Sequence, residues 1–192
     1  SSSCPSRTAN VPRMMAALST GDDGALRAVL DIFEEAGFTI RAAHEILPDL
    51  LPKAGIYGAT KPTERDETDA KRATQIIAAM GEVDVGQACV VAAGQALAIE
   101  TLGGTDWMLS TLAGDKRPNG PPGGSLAKAA KPGQDRRVDL PTIGPDTISR
   151  AADAGLSGVV IEHQSVMVLD FEQTLSDATA RNMFLWVREP AG

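Results

Sequence analysis

The residues best suited to chemistry lie between Lys131 and Gly144. Lys131, Asp135, Arg136, Arg137 and Asp139 stand there among Pro132, Gly133, Pro141 and Gly144. Proline and glycine at both ends forbid a continuous helix, so these charges are expected on extended or turning backbone. Alternation along Arg137-Val138-Asp139-Leu140 puts Arg137 and Asp139 on one face. Val138 and Leu140 then anchor the other face in a core. Fixed charges of both signs on a braced segment suit a metal and a phosphate together. Lys131 and Arg137 can neutralise phosphate oxygens, the arginine as a fork. Asp135 and Asp139 offer hard oxygen ligands of the kind Mg²⁺ takes. The competing reading is a surface loop with adventitious ion pairs.

A second candidate is Gly103-Gly104-Thr105-Asp106, between an apolar run ending at Glu100 and a helical pattern. Free N–H groups at a helix start attract anions, and glycine lets a phosphate approach closely. Thr105 can cap the helix, and Asp106 can bind a metal or orient water. With Asp135 and Asp139, Asp106 could complete a metal-assisted phosphoryl site. The plain alternative is an ordinary glycine-rich helix cap. Asp84-Val85-Gly86-Gln87 is a third candidate, and by itself it reads more simply as a turn into a strand. His44 and His163 fit no metal spacing and are read as structural, which argues against zinc. Cys89, inside Ala88-Cys89-Val90-Val91, reads as a buried inert thiol.

These groups need a frame. A helix is expected from the Gly21-Asp22-Asp23 cap to Ala36, stopped by Gly37. Phe38–Ala42 reads as a strand, His44–Leu51 as a short helix, and 53–62 as loop. Thr63 caps a long helix to Met80. Ala88–Ala93 and Ala96–Glu100 read as a hairpin turning at Gly94-Gln95. Thr105–Ala113 suits a helix, 114–124 a mobile loop and Leu126–Ala130 a strand. Pro145–Ala154 and Phe171–Arg181 are read as helices. Val159–Glu162, Val166–Leu169 and Met183–Val187 are read as strands. The pattern is α/β: a mixed sheet flanked by helices, over residues 21–192. Residues 1–20 read as a linker or the end of a further amino-terminal domain.

The 192 residues allow one large domain or one domain with an extra segment. Apolar residues make up 43% and charged ones 22%, ordinary for a globular chain. A net charge of −7 disfavours a general nucleic-acid binder and a polybasic membrane anchor. It leaves room for an anionic substrate, because cations are concentrated between Lys128 and Arg137. No apolar run is long enough to span a bilayer.

Read in order, the segments resemble one family. Asp84-Val85-Gly86-Gln87, Leu97-Ala98-Ile99-Glu100, Gly104-Thr105-Asp106, Lys131-Pro132-Gly133-Gln134-Asp135, Arg137 to Gly144 and Ala154-Gly155-Leu156-Ser157-Gly158 look like the carboxy-terminal domain of UDP-2,3-diacylglucosamine pyrophosphatases of the LpxI type. Gly21-Asp22-Asp23 and Ala43 to Leu50 match as well. The resemblance implies the carboxy-terminal domain of a two-domain, Mg²⁺-dependent hydrolase of lipid A synthesis. It implies cleavage of the pyrophosphate of a lipid-linked nucleotide sugar into UMP and 2,3-diacylglucosamine 1-phosphate. It also implies a cytoplasmic enzyme, peripheral at the inner face of a Gram-negative inner membrane. On these segments Asp139 is taken as the principal catalytic residue. Gly104, Thr105, Lys131, Gln134, Arg137 and Thr142 are taken for substrate. Asp106, Asp135 and Asp139 are taken for Mg²⁺.

Three departures from the family pattern stand out. Gly103 replaces a usual Glu before Gly-Thr-Asp. Ser110 and Thr111 stand where an Arg is common. The family's amino-terminal domain, of nucleotide-binding type, is expected to be largely missing. The piece is therefore expected to fold alone but to turn over slowly. Two other readings stay open: a binding domain that needs a second domain for chemistry, and a Mg²⁺ phosphohydrolase for a soluble substrate.

Overall fold

The computed structural model describes residues 22–131 and 136–190, the first four of them by backbone alone. Gln134 and Asp135 lie outside the described residues. The elements in chain order are α1 (Asp22–Glu35), α2 (Ala43–Ile46), β1 (Gly55–Gly58), α3 (Glu64–Glu82), β2 (Ala88–Ala92), β3 (Gln95–Ile99), α4 (Gly104–Ser110), β4 (Ser125–Lys128), β5 (Thr142–Ile143), α5 (Pro145–Asp153), β6 (Gly158–Glu162), β7 (Met167–Val168), α6 (Phe171–Ala180) and β8 (Phe184–Arg188).

Six strands form one mixed sheet in the order β1-β8-β6-β4-β2-β3, and β5 and β7 form a small parallel pair beside it. The centre, β4-β6-β8, is parallel, while β1 and the β2–β3 hairpin run antiparallel at the two sides. The α/β expectation therefore holds. The central strands are largely buried on both faces; β6 reads as an apolar run, as the position requires, while β4 carries Ser125 and Lys128 into buried positions. On one face α3 lays Ala70, Ala73, Ile77 and Met80 on Cys89, Val91, Ala127, Val160 and Phe184. Small residues on the helix let it approach the strands closely. On the other face α4, α5 and α6 bring Met108, Leu109, Ile148 and Ala178 against Leu126, Val159, Ile161 and Leu185.

Cys89 is fully buried, and burial pushes its thiol up to about 12, so it is an inert core group as expected. Several local expectations are corrected. Residues 38–42 form no strand, and 55–58, expected as loop, is the edge strand β1. The hairpin turns at Ala93-Gly94 (φ 50° and 75°), one residue earlier than expected, because the Asp69 carboxylate of α3 accepts from both N–H groups there. The proline- and glycine-rich loop is pinned by one side chain. The Arg117 guanidinium donates to the carbonyls of Ala154, Gly155, Pro121 and Gly123.

Candidate functional site

In this arrangement ligands are expected beyond the carboxyl ends of the parallel strands. Strand β4 ends on Lys128 and β6 on Glu162; both then run through the small β5–β7 pair into the starts of α5 and α6. The start of α4 arrives from the hairpin side. The three helix starts open on one cleft of about 670 Å³, lined among others by Gly104, Thr105, Asp106, Lys128, Thr142, Gly144, Asp146 and Asp170.

The local sequence leaves these helix starts without side-chain caps, although the Gly104 N–H already donates to the Thr101 carbonyl at 2.9 Å. The long helix α3 is closed by Thr63 and Asp66 in a reciprocal cap. The helices at the cleft are entered differently. Gly103 and Gly144 have no side chain to cap with, and Asp170, in the left-handed region (φ 44°), makes no side-chain cap bond. At α5 the Gly144 N–H donates to Thr147 Oγ1 at 3.3 Å, and Pro145 has no N–H to satisfy. Uncapped N–H groups with the positive end of the helix dipole form a setting for anions.

The floor of the cleft is a buried polar chain. Lys128 Nζ donates to Thr105 Oγ1 at 2.7 Å, and that hydroxyl donates to Glu100 Oε1 at 3.0 Å. The other carboxylate oxygen, Oε2, accepts from the Gln87 N–H at 3.2 Å. All three side chains are less than a tenth exposed. Burial pulls the Lys128 ammonium below the usual lysine range, and the charges of Glu100 and Asp106 partly offset this. Gly86 is required beneath Glu100, since a Cβ there would run into the Glu100 backbone. The Asp84–Gln87 turn thus serves as a seat for Glu100.

Of the residues expected in the site, Gly104, Thr105, Asp106 and Thr142 meet in this cleft. Asp106 is ion-paired with Arg150 of α5 at 3.3 Å. Lys131 and Arg137 are elsewhere. Lys131 pairs with Asp84 at 2.6 Å and borders a separate hollow of about 290 Å³ on the α3 side, with Arg136 and Arg188. Arg137 turns to Glu34 of α1, at 2.7 Å. The expected strand through Arg137 and Asp139 is a turn at 136–138, and Val138 is exposed instead of anchored; Leu140 is buried as expected. Proline at 141 explains part of this, because it restricts the backbone only from residue 140 onward. Asp139 is half-buried on the connection into Thr142 and does not line the cleft.

No motif or spacing marks Lys128, Asp146 or Asp170, and Glu100 stands in its segment with no role visible from sequence. One signal was available. Leu126 faces the core, so alternation puts Lys128 on the same face, and a lysine at an inward strand position is rare. Among the described residues no three His, Cys, Asp or Glu side chains gather closely enough to cage a metal. The carboxylates are spread around the cleft instead. That donor set suits Mg²⁺, which is commonly held by one or two carboxylates together with substrate phosphates and water.

The LpxI C-terminal domain model matches residues 53–186, and the LpxI N-terminal domain model matches residues 7–50. The chain belongs to the LpxI family. It is 40% identical over 186 residues to the UDP-2,3-diacylglucosamine pyrophosphatase LpxI of Caulobacter vibrioides. That match covers 94% of this chain but 66% of the relative, just under two thirds of its length. Within the LpxI C-terminal match lie all the cleft residues named above.

Proposed function

We propose that this chain carries the catalytic cleft of a Mg²⁺-dependent hydrolase. Its substrate is UDP-2,3-diacylglucosamine, which it splits at the pyrophosphate into UMP and 2,3-diacylglucosamine 1-phosphate, a step of lipid A synthesis. Membership in the LpxI family and the name of the 40% identical relative support the substrate. The observation that carries the reading is the cleft itself. Uncapped helix starts at Gly104, Gly144 and Asp170 face carboxylates across a space open to solvent. An anion and a divalent cation can be bound there together.

In this reading Thr105 and Thr142 receive phosphate oxygens where Gly104 allows close approach, and Asp106 is the cleft's carboxylate for Mg²⁺ or water; Asp139, on the connection into Thr142 and outside the cleft, reaches the ion only if that connection shifts. Bound Mg²⁺ would neutralise charge on the phosphate oxygens and hold them for in-line attack. Asp106 can turn from Arg150 to the ion at little cost, since that pair is more than a third exposed on both sides. Lys131 and Arg137 reach phosphate only after leaving Asp84 and Glu34. The substrate is diacylated, so the enzyme works at a membrane surface; among the described residues no helix is long and apolar enough to cross one.

The test is UMP release from UDP-2,3-diacylglucosamine with Mg²⁺, with EDTA, and with a non-acylated UDP-sugar in its place. Mg²⁺-dependent release from the acylated substrate alone is expected. Equal release from both substrates points to a soluble phosphohydrolase. Binding without release points to a non-catalytic binding domain.

A further inference from the structure

We infer that Lys128 is the cation that meets the phosphoryl oxygens in the cleft, and that Thr105 and Glu100 are positioning residues that hold it there. The inference rests on the proposed function for the identity of the anion, and on geometry for its charge. Lys128 is 8% exposed. An ammonium removed from water to that extent is costly unless a charge or several acceptors answer it. Its side-chain hydrogen bond goes to a neutral hydroxyl, Thr105 Oγ1, and among the described residues it forms no salt bridge. An ammonium has three donors, so two N–H groups remain once Thr105 is satisfied. Lys128 borders both the cleft and the hollow on the α3 side, and its Nζ lies toward the cleft, bonded to Thr105, which lines the cleft and not the hollow.

The hydroxyl fixes the direction. Thr105 gives its proton to Glu100, which leaves an oxygen lone pair for Lys128 and no freedom to reverse the bond. Glu100 is held in turn by the Gln87 N–H. This chain supplies a negative charge one residue removed from the ammonium. It favours the charged form of Lys128 against the effect of burial without neutralising it by direct pairing. A site built this way suits a small, multiply charged oxyanion. A phosphoryl group offers several oxygens to two N–H donors, and charge on those oxygens grows during transfer.

The test uses inorganic pyrophosphate binding, read by calorimetry, beside UMP release. Lys128→Met should weaken pyrophosphate binding by about tenfold or more, as loss of a charge-assisted bond predicts. Lys128→Cys should behave alike, and alkylation with 2-bromoethylamine, which rebuilds an ammonium at that length, should restore binding and turnover. Wild type treated in parallel controls for Cys4 and Cys89. Thr105→Val should lower both readouts, and Thr105→Ser should recover them; this pair decides the matter if the Lys128 variants do not fold. Wild-type binding in folded Lys128→Met, or no pyrophosphate binding by wild type, overturns the inference. Lys128-dependent binding without UMP release would uphold it and sink the proposed activity alone.

Discussion

Asp69 Oδ1 accepts a hydrogen bond from the Gly94 N–H at 2.6 Å, joining the second turn of α3 to the β2–β3 turn. The second oxygen accepts from the Ala93 N–H at 2.8 Å. Both residues of the turn have positive φ, which glycine tolerates and alanine does not favour. The carboxylate compensates Ala93. The hairpin so fixed carries Glu100 at its end, and Glu100 holds Thr105. A residue on the α3 face thus sets one wall of the cleft on the opposite face.

Asp69→Ala should therefore cost roughly 1–3 kcal/mol of stability, because two partly buried N–H groups lose a buried, charged acceptor. Denaturant unfolding measures it. Asp69→Asn should fall between, since an amide oxygen can serve one of the two N–H groups. A loss below about 0.5 kcal/mol in Asp69→Ala would show the turn to be self-supporting.

Lys128→Met should hold or raise Tm at neutral pH while binding is lost. The sign follows from burial. The folded state lowers the Lys128 pKa, so charged Lys128 destabilises the fold at all pH below that value. As pH rises from the lowered pKa toward the ordinary one, the unfolded chain holds the extra proton, and wild-type stability from this group rises. The advantage of Lys128→Met should therefore shrink across that window. The groups facing Lys128 are Glu100, Thr105 and Asp106, with Asp146 and Asp170 across the cleft. An advantage that grows with alkaline pH would contradict the assignment.

Asp139→Ala should lower kcat by about a hundredfold or more with Tm nearly unchanged, as for loss of a metal ligand or general base. Near wild-type turnover in a folded variant would remove Asp139 from the chemistry.

Asp106→Asn should raise the Mg²⁺ concentration for half-maximal rate. Its effect on stability should stay within about 1 kcal/mol, because the Arg150 pair is exposed. An unchanged Mg²⁺ dependence would leave Asp106 as a surface ion pair.

Gly103 sits under the Trp107 ring, where a Cβ would fall 2.8 Å from Cδ2. Gly103→Ala should push the indole outward and shift its fluorescence to the red, with a small loss of stability, since the side chain can swing. Identical emission spectra would mean that the backbone moves instead.

Much of the frame was legible because apolar runs and helix punctuation agree after Gly144. Pro145 opens α5, Gly155 follows its end, and Gly158–Glu162 is apolar enough to be a central strand. Residues 55–58 escaped because Gly55 and Gly58 argue against a strand; their order comes from pairing with β8. Phe38–Ala42 misled for the converse reason, since alternation without a neighbouring strand makes no sheet. In the site, the glycine-rich start at Gly104 was readable from its residue types. Lys128 was hidden by treating β4 as a strand without asking which face each residue takes. The partners of Lys131 and Arg137 were beyond reach, because Asp84 and Glu34 are distant in sequence and nothing local selects them.

The Arg117 rivet has a consequence at the other end of β4. The strand begins at Ser125, directly after Gly123 and Gly124, and Gly124 O accepts from Ser157 N at 2.8 Å beside the start of β6. A strand advances about 3.3 Å per residue and turns its side chains over at each step. A slip of one residue at this end would carry residue 128 along the sheet and present it to α3. The ammonium would then be aimed at the hollow on the α3 side, by Ala127 and Val160, and an alanine would stand in the cleft. Four carbonyl contacts from one guanidinium, at the opposite end of β4 from Lys128, thus act as the index mark that decides which side of the sheet is charged.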